Sequence, residues 1–173
     1  MKRTAALFLC LALLVSLFNA CGEADTTPDP YKGLKHFESD TGISLYMDKS
    51  YKETTIEGVT CTFEGSTSTS AVSCREETFQ SLTDLGIDAD MSLEDYAAMV
   101  IEANQFDGEV LTDEYGNVYF VYEQEIMEIS LTYYAFIDKG STAFWTTNFI
   151  CPTDEKADHE KDFQLWASSI TIE

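Results

Sequence analysis

Basic residues are scarce in this chain. Lysine and arginine together number 10 against 31 acidic residues, a formal net charge of −21. Such a field repels phosphate backbones and anionic headgroups, so nucleic acid is a disfavoured partner. Histidine is scarcer still. His36 follows a polar leading stretch and His159 stands in "KADHEKD", a charged and solvated turn of helix, so neither reads as a catalytic base. There is no C-x₂-C pair, no G-x-S-x-G, no H-E-x-x-H and no glycine-rich phosphate loop, which removes the zinc-ribbon, serine-hydrolase, zinc-protease and P-loop chemistries. No enzyme signal is visible, and neither metal nor cofactor is expected. Nor does any apolar run reach the roughly 20 residues that a membrane-crossing helix needs.

What the chain does have begins at its start. Met1-Lys2-Arg3 is a short positive segment, Ala5 to Phe18 is uncharged and apolar, and Ala20 stands directly before Cys21. These three zones read as an export signal over residues 1–20. Ordinary signal peptidase wants small side chains at both −1 and −3, and Phe18 at −3 fits that badly. The segment "LFNAC" resembles instead the lipobox of bacterial lipoproteins, with Phe18 and Asn19 where an aliphatic and a small residue are usual. The resemblance implies that the Cys21 thiol receives diacylglycerol and that cleavage frees its amine for a further acyl chain. The expected location is the cell membrane, lipid-anchored and facing outside the cytoplasm. Each buried CH₂ contributes about 0.8 kcal/mol, so two or three chains hold durably where one does not.

"GEADTTPDPYKGLKH" follows, polar and without apolar periodicity, and predicts a flexible tether over 21–35. The remainder, 36–173, is one domain by length. Loss of Lys2 and Arg3 leaves 8 basic against 31 acidic residues, or −23. Plain solvation accounts for that charge, and attraction of cationic peptides or divalent ions is the functional alternative.

Within the domain the pattern is hairpins interrupted by two helices, an α+β class. "KHFESDTGISLYMD" alternates around a Thr41-Gly42 turn. "TTIEGVTCTFEGSTSTSAVSCREET" is the clearest hairpin, with Val59, Cys61 and Phe63 on one face of its first strand and Val72 and Cys74 on one face of its second. Folded symmetrically, residues pair when their numbers sum to about 135, so Cys61 faces Cys74. A cross-strand disulfide and two packed core thiols are equally consistent with that pairing. Cys151 reads as a strand-end packing residue.

Ser92 with Asp95, followed by the stripe Leu93, Tyr96, Ala97, Val100 and Ile101, predicts a helix from Leu93 to about Gln105. Asp88, Asp90, Ser92 and Glu94 alternate like the opening of a calcium loop. Leu93 and Met99 stand where that loop needs glycine and glutamate, so helix capping is the reading. A meander follows, with turns at Tyr115-Gly116-Asn117 and Asp138-Lys139-Gly140 and a break near Glu125. Pro152 ends it, Thr153 is the candidate cap of a second helix whose face carries His159, Phe163 and Trp166, and "SSITIE" closes as a strand.

This order of parts, from "DTGISLYMDKSY" through "SLEDYAAMV" and "DEYGNVYFVYEQ" to "FQLWASSITIE", resembles the PsbP-like group, which includes small bacterial lipoproteins. The resemblance spans about Phe37 to Glu173. It implies an α/β/α sandwich, a central antiparallel sheet of about six to seven strands with two main helices packed on it. It delivers no activity and no site residue.

The expectation for function is therefore a tethered, non-catalytic envelope lipoprotein serving as a protein-binding or accessory, assembly-type subunit. The alternative is a small-ligand or cation-binding lipoprotein with a pocket between sheet and helix. An exposed apolar patch favours the first. A cavity with convergent polar groups favours the second.

Overall fold

The computed structural model describes residues 28–65 and 70–173. The expected export signal, Cys21 and the leading part of the tether lie outside the described residues, as do residues 66–69 in the loop of the long hairpin. Tyr31–Glu173 form one compact unit. Packed structure begins ahead of His36: the Tyr31 ring stacks on Tyr46 at 5.1 Å and its hydroxyl donates to the Ser168 carbonyl at 3.2 Å. Residues 31–35, which composition assigns to a flexible tether, are thus part of the folded unit. One aromatic side chain with a facing partner offsets ordering entropy that the polar residues around it cannot.

Among the described residues, ten strands alternate with three helices. The strands are β1 (Lys35–Glu38), β2 (Ile43–Met47), β3 (Tyr51–Thr54), β4 (Cys61–Gly65), β5 (Ala71–Thr78), β6 (Leu111–Thr112), β7 (Val118–Ile126), β8 (Ile129–Lys139), β9 (Ala143–Pro152) and β10 (Thr171–Ile172). The helices are α1 (Phe79–Leu82), α2 (Leu93–Asn104) and α3 (Lys156–Ala167). Seven strands form an antiparallel sheet in the order β3-β4-β5-β9-β8-β7-β6. The expected α+β class and central antiparallel sheet are therefore present. The first hairpin and the last strand do not join that sheet. They make a separate three-stranded one, β1-β2-β10, which the linear pattern does not distinguish from the meander.

Side chains alternate along each central strand and so divide between two cores. In β7, Val118, Phe120 and Tyr122 face one way and Tyr119 the other; in β9, Phe144 faces the first core and Trp145, Phe149 and Cys151 the second. The second core lies between the large sheet, the small sheet and α3. Phe149, Phe163 and Phe136 are fully enclosed there with Trp166 and Leu45. Burying side chains of this size contributes about 1.5–3 kcal/mol each. The first core lies under α2, whose Tyr96 and Ala97 face Phe120, Phe144 and Ile137.

Local chemistry explains the helix ends. Ser92 caps α2: its hydroxyl accepts the Asp95 amide at 3.0 Å and donates to the Asp95 carboxylate at 2.8 Å. Gln105 ends the helix at φ 56°, and its amide reaches back to the Ile101 and Glu102 carbonyls. Thr153 does not cap α3. Its hydroxyl is held by Ser130 (3.0 Å) and Thr132 (3.1 Å), because a short 3₁₀ turn over Thr153–Glu155 carries it back onto the sheet. The break placed near Glu125 lies slightly later, where Met127 and Glu128 turn the β7–β8 hairpin at φ 51° and 68°.

Candidate ligand-binding cleft

Period-two alternation in β5 puts Val72 and Cys74 into the second core and leaves Arg75 and Glu77 near the opposite face. On β9 the same rule brings Thr146 and Asn148 to that face, and on β7 it brings Phe120 and Tyr122. Above them, α2 presents Tyr96, Met99, Val100 and Ala103 at helical spacing, with Leu82 and Ile87 closing one side and Phe106 the other. The result is a partly open cleft of about 310 Å³ between sheet and helix. That volume is at the lower end for a small-molecule site.

Aromatic rings of the lining stack on one another and on rings behind them. Tyr96 lies flat on Phe144 (4.0 Å, 9°), and Phe106 lies flat on Tyr122 (3.9 Å, 11°), which in turn stacks on Tyr133 at 4.7 Å. Polar groups converge at one part of the wall. The Tyr96 hydroxyl donates to Glu77 Oε2 at 2.5 Å, and Arg75 Nε stands 3.9 Å from Glu77 Oε1. The Tyr122 hydroxyl points at the Asn148 carboxamide oxygen across a long 3.5 Å. Burial and then the Glu77 hydrogen bond push the Tyr96 phenol well above its ordinary pKa, so it stays a neutral donor. Burial does the same for Tyr122.

This arrangement can hold an apolar body against aromatic rings while offering a cation (Arg75), an anion (Glu77), the Asn148 carboxamide and the Thr146 hydroxyl to a polar head. The polar lining pairs with itself rather than aligning a base with a nucleophile. Among the described residues, no three His, Cys, Asp or Glu side chains gather closely enough to hold a metal ion.

The residues singled out by sequence lie elsewhere. Cys61 and Cys74 are register partners, as the symmetric folding of the hairpin predicts, and carry free thiols in the second core. Cys151 is fully buried in the same core, and burial pushes its thiol up to about 11. His36 leans on Tyr46 at 4.7 Å, and His159 stacks on Phe163 at 5.2 Å, half-buried rather than solvated. Val59 precedes β4 and shares no strand face with Cys61. Arg75, Glu77, Thr146 and Asn148 were not foreseen. The alternation in "CREET" already sends Arg75 and Glu77 away from Cys74, but nothing in the string says that a helix will roof that face.

Exposed apolar side chains also gather at the β7–β8 tip, where Ile126, Met127 and Ile129 are 43%, 92% and 56% exposed. Among the described residues, no helix is long and apolar enough to cross a membrane.

The class defined by this architecture is the PsbP-like fold, an antiparallel sheet with helices and a small second sheet on its faces. A solution structure of cyanobacterial PsbP from Synechocystis sp. PCC 6803 superposes with a TM-score of 0.52 at 14% identity, over 88% of this chain and 99% of that one. A crystal structure from Bacteroides thetaiotaomicron superposes with a TM-score of 0.54 at 12% identity; it covers 82% of this chain, which spans about half (49%) of the other. At these identities the likeness is one of fold. No protein-family model matches the chain, and no curated protein matches it in sequence.

Proposed function

We propose that this chain is an exported, non-catalytic binding protein, held at the outer face of a cell membrane by lipid on Cys21. Its working site is the cleft between α2 and the seven-stranded sheet. The ligand class is a small amphipathic molecule with an apolar, preferably aromatic body and a charged or hydrogen-bonding head. The observation that carries this reading is the meeting of Arg75, Glu77, Tyr96, Thr146 and Asn148 beside the rings of Phe106, Phe120 and Tyr122. A structural ion pair alone does not require an unfilled apolar volume next to it.

Native mass spectrometry of the anchored protein from its own cells tests this. A small molecule retained by the wild type and lost in Ala103→Trp, which fills the cleft from an exposed helix position, supports the reading. Identical spectra for the two forms count against it.

A second reading, protein docking in an accessory or assembly role, is favoured by the hairpin tip. Ile126, Met127 and Ile129 project there between Glu123, Glu125 and Glu128, a surface suited to an apolar socket with a basic rim. Cross-linking in intact cells, with Met127→Asp as control, distinguishes it: a partner captured by the wild type and lost in the variant places the interaction at the tip.

A further inference from the structure

Cys61 and Cys74 do more than face each other. The Gly65 amide donates to the Ser70 carbonyl at 3.1 Å. Antiparallel pairs alternate between bonded and non-bonded positions, so counting inward through the register brings Cys61 and Cys74 to a bonded position. There the Cα atoms of a pair stand about 5.5 Å apart, within the span of a disulfide, while the Cβ atoms stand further apart than the ~3.8 Å of a relaxed one. Just ahead of β4 the Thr60 amide also reaches the Cys74 carbonyl, at 2.9 Å, so two residues oppose one and the ladder bulges. A bridge closed here is strained, and strained bridges are the readily reduced ones.

The two sulfurs are also unequal. Cys61 is 5% exposed and lies near the β1–β2 turn, with the Cys74 thiol and the Thr41 and Ser39 hydroxyls around it. Thr41 in turn donates to Ser39 (3.1 Å), and Ser39 to Glu53 (3.0 Å), a polar chain leading outward from the thiol. The hydrogen bond from Cys74, and after it those hydroxyls, hold the Cys61 thiol below its ordinary pKa against the opposing effect of burial. Cys74 is fully enclosed, and its bond to Cys61 together with burial raises its pKa well above the ordinary value. One sulfur is favoured as thiolate near an edge of the core and the other is kept as thiol behind it.

We propose that Cys61 and Cys74 are a thiol–disulfide redox pair, Cys61 the attacking sulfur and Cys74 the resolving one, with the Ser39–Gly42 turn covering the site of exchange. The co-substrate is a disulfide met outside the cytoplasm. The Cys61 thiolate attacks one of its sulfurs, the S–S bond breaks and a thiolate leaves, giving a mixed disulfide. Cys74 then loses its proton and attacks the Cys61 sulfur, and the second thiolate leaves. Two electrons pass from the pair to the co-substrate, and the two protons released by Cys61 and Cys74 convert its thiolates to thiols.

The test uses the folded full chain in a glutathione buffer, with oxidised glutathione as the disulfide probe and peptide mapping to locate each bond. The wild type is expected to lose the two thiol hydrogens and yield one Cys61–Cys74 linked peptide, reversed by reduced glutathione. Cys74→Ser and Cys61→Ser, near-isosteric changes checked for folding by circular dichroism, separate the roles. Cys74→Ser is expected to accumulate glutathione on Cys61 at least about tenfold faster than Cys61→Ser accumulates it on Cys74. A native wild type whose pair stays unlinked, a bond formed with Cys151 instead, or equal rates in the two variants would overturn the proposal.

Discussion

The Tyr96 hydroxyl crosses from α2 to the sheet and donates to the Glu77 carboxylate at 2.5 Å, while the same ring lies flat on Phe144. One residue therefore pins the helix that roofs the cleft and sets one of the polar groups in its wall. Tyr96→Phe keeps the stacking and removes the bond. The expected cost is about 1.5–3 kcal/mol in chemical denaturation, the range for a hydrogen bond to a charged group, with α2 still helical by circular dichroism. Unchanged stability would mean that the hydrogen bond is replaced by water at no cost.

Asp138 gives the fold a pH dependence of definite sign. It pairs with Trp145 in the β8–β9 ladder, half-buried, and loss of solvent raises its pKa from the ordinary carboxyl value of 3.8 to about 7. Its folded-state pKa thus lies above its unfolded one. Below about pH 4 both states hold the proton; between about pH 4 and 7 the unfolded chain releases it while the folded one does not, so stability falls with rising pH and levels off above. Asp138→Asn is expected to remove that slope, gaining at most about 4 kcal/mol at pH 8 relative to the wild type. Parallel stability–pH curves for the two proteins would assign the slope to other carboxylates.

The β7–β8 turn places Met127 and Glu128 at positive φ, 51° and 68°. Asparagine and glycine are the residues such a two-residue turn favours. The double change Met127→Asn, Glu128→Gly is expected to raise stability by about 1 kcal/mol while removing the most exposed apolar side chain of the tip. A more stable protein that no longer cross-links to a partner would mark the strain as serving contact. A more stable protein with unaltered behaviour would mark it as incidental.

Cys21→Ser is expected to abolish labelling with palmitate and release the protein from membranes. Labelling equal to the wild type would end the lipid-anchor proposal.

Much of the fold was legible because short-range signals agree with the tertiary arrangement. Ser92 and Asp95 announced α2, and the reckoning that set Cys61 opposite Cys74 needed only a symmetric hairpin. What was not legible depends on residues distant in sequence. Whether "KHFE" joins the main sheet or a second one is decided by β10, more than 120 residues later, through the pairing of Ser44 with Thr171. Tyr31 looked like tether because Tyr46 and Ser168, which hold it, are not its neighbours in the chain. The cleft combines residues from β5, β7, β9 and α2, and local alternation shows which way each points without showing what stands opposite.

The cleft is tested most directly by titrating the wild type and Ala103→Trp with 8-anilinonaphthalene-1-sulfonate, an aromatic body with an anionic head matched to the aromatic lining and Arg75. The account predicts saturable binding of one dye per wild-type chain, weakened at least about tenfold in Ala103→Trp and, in a third protein, by Arg75→Gln, with all three equally folded. Absence of saturable binding to the wild type, or equal affinity for the wild type and Ala103→Trp, would contradict it.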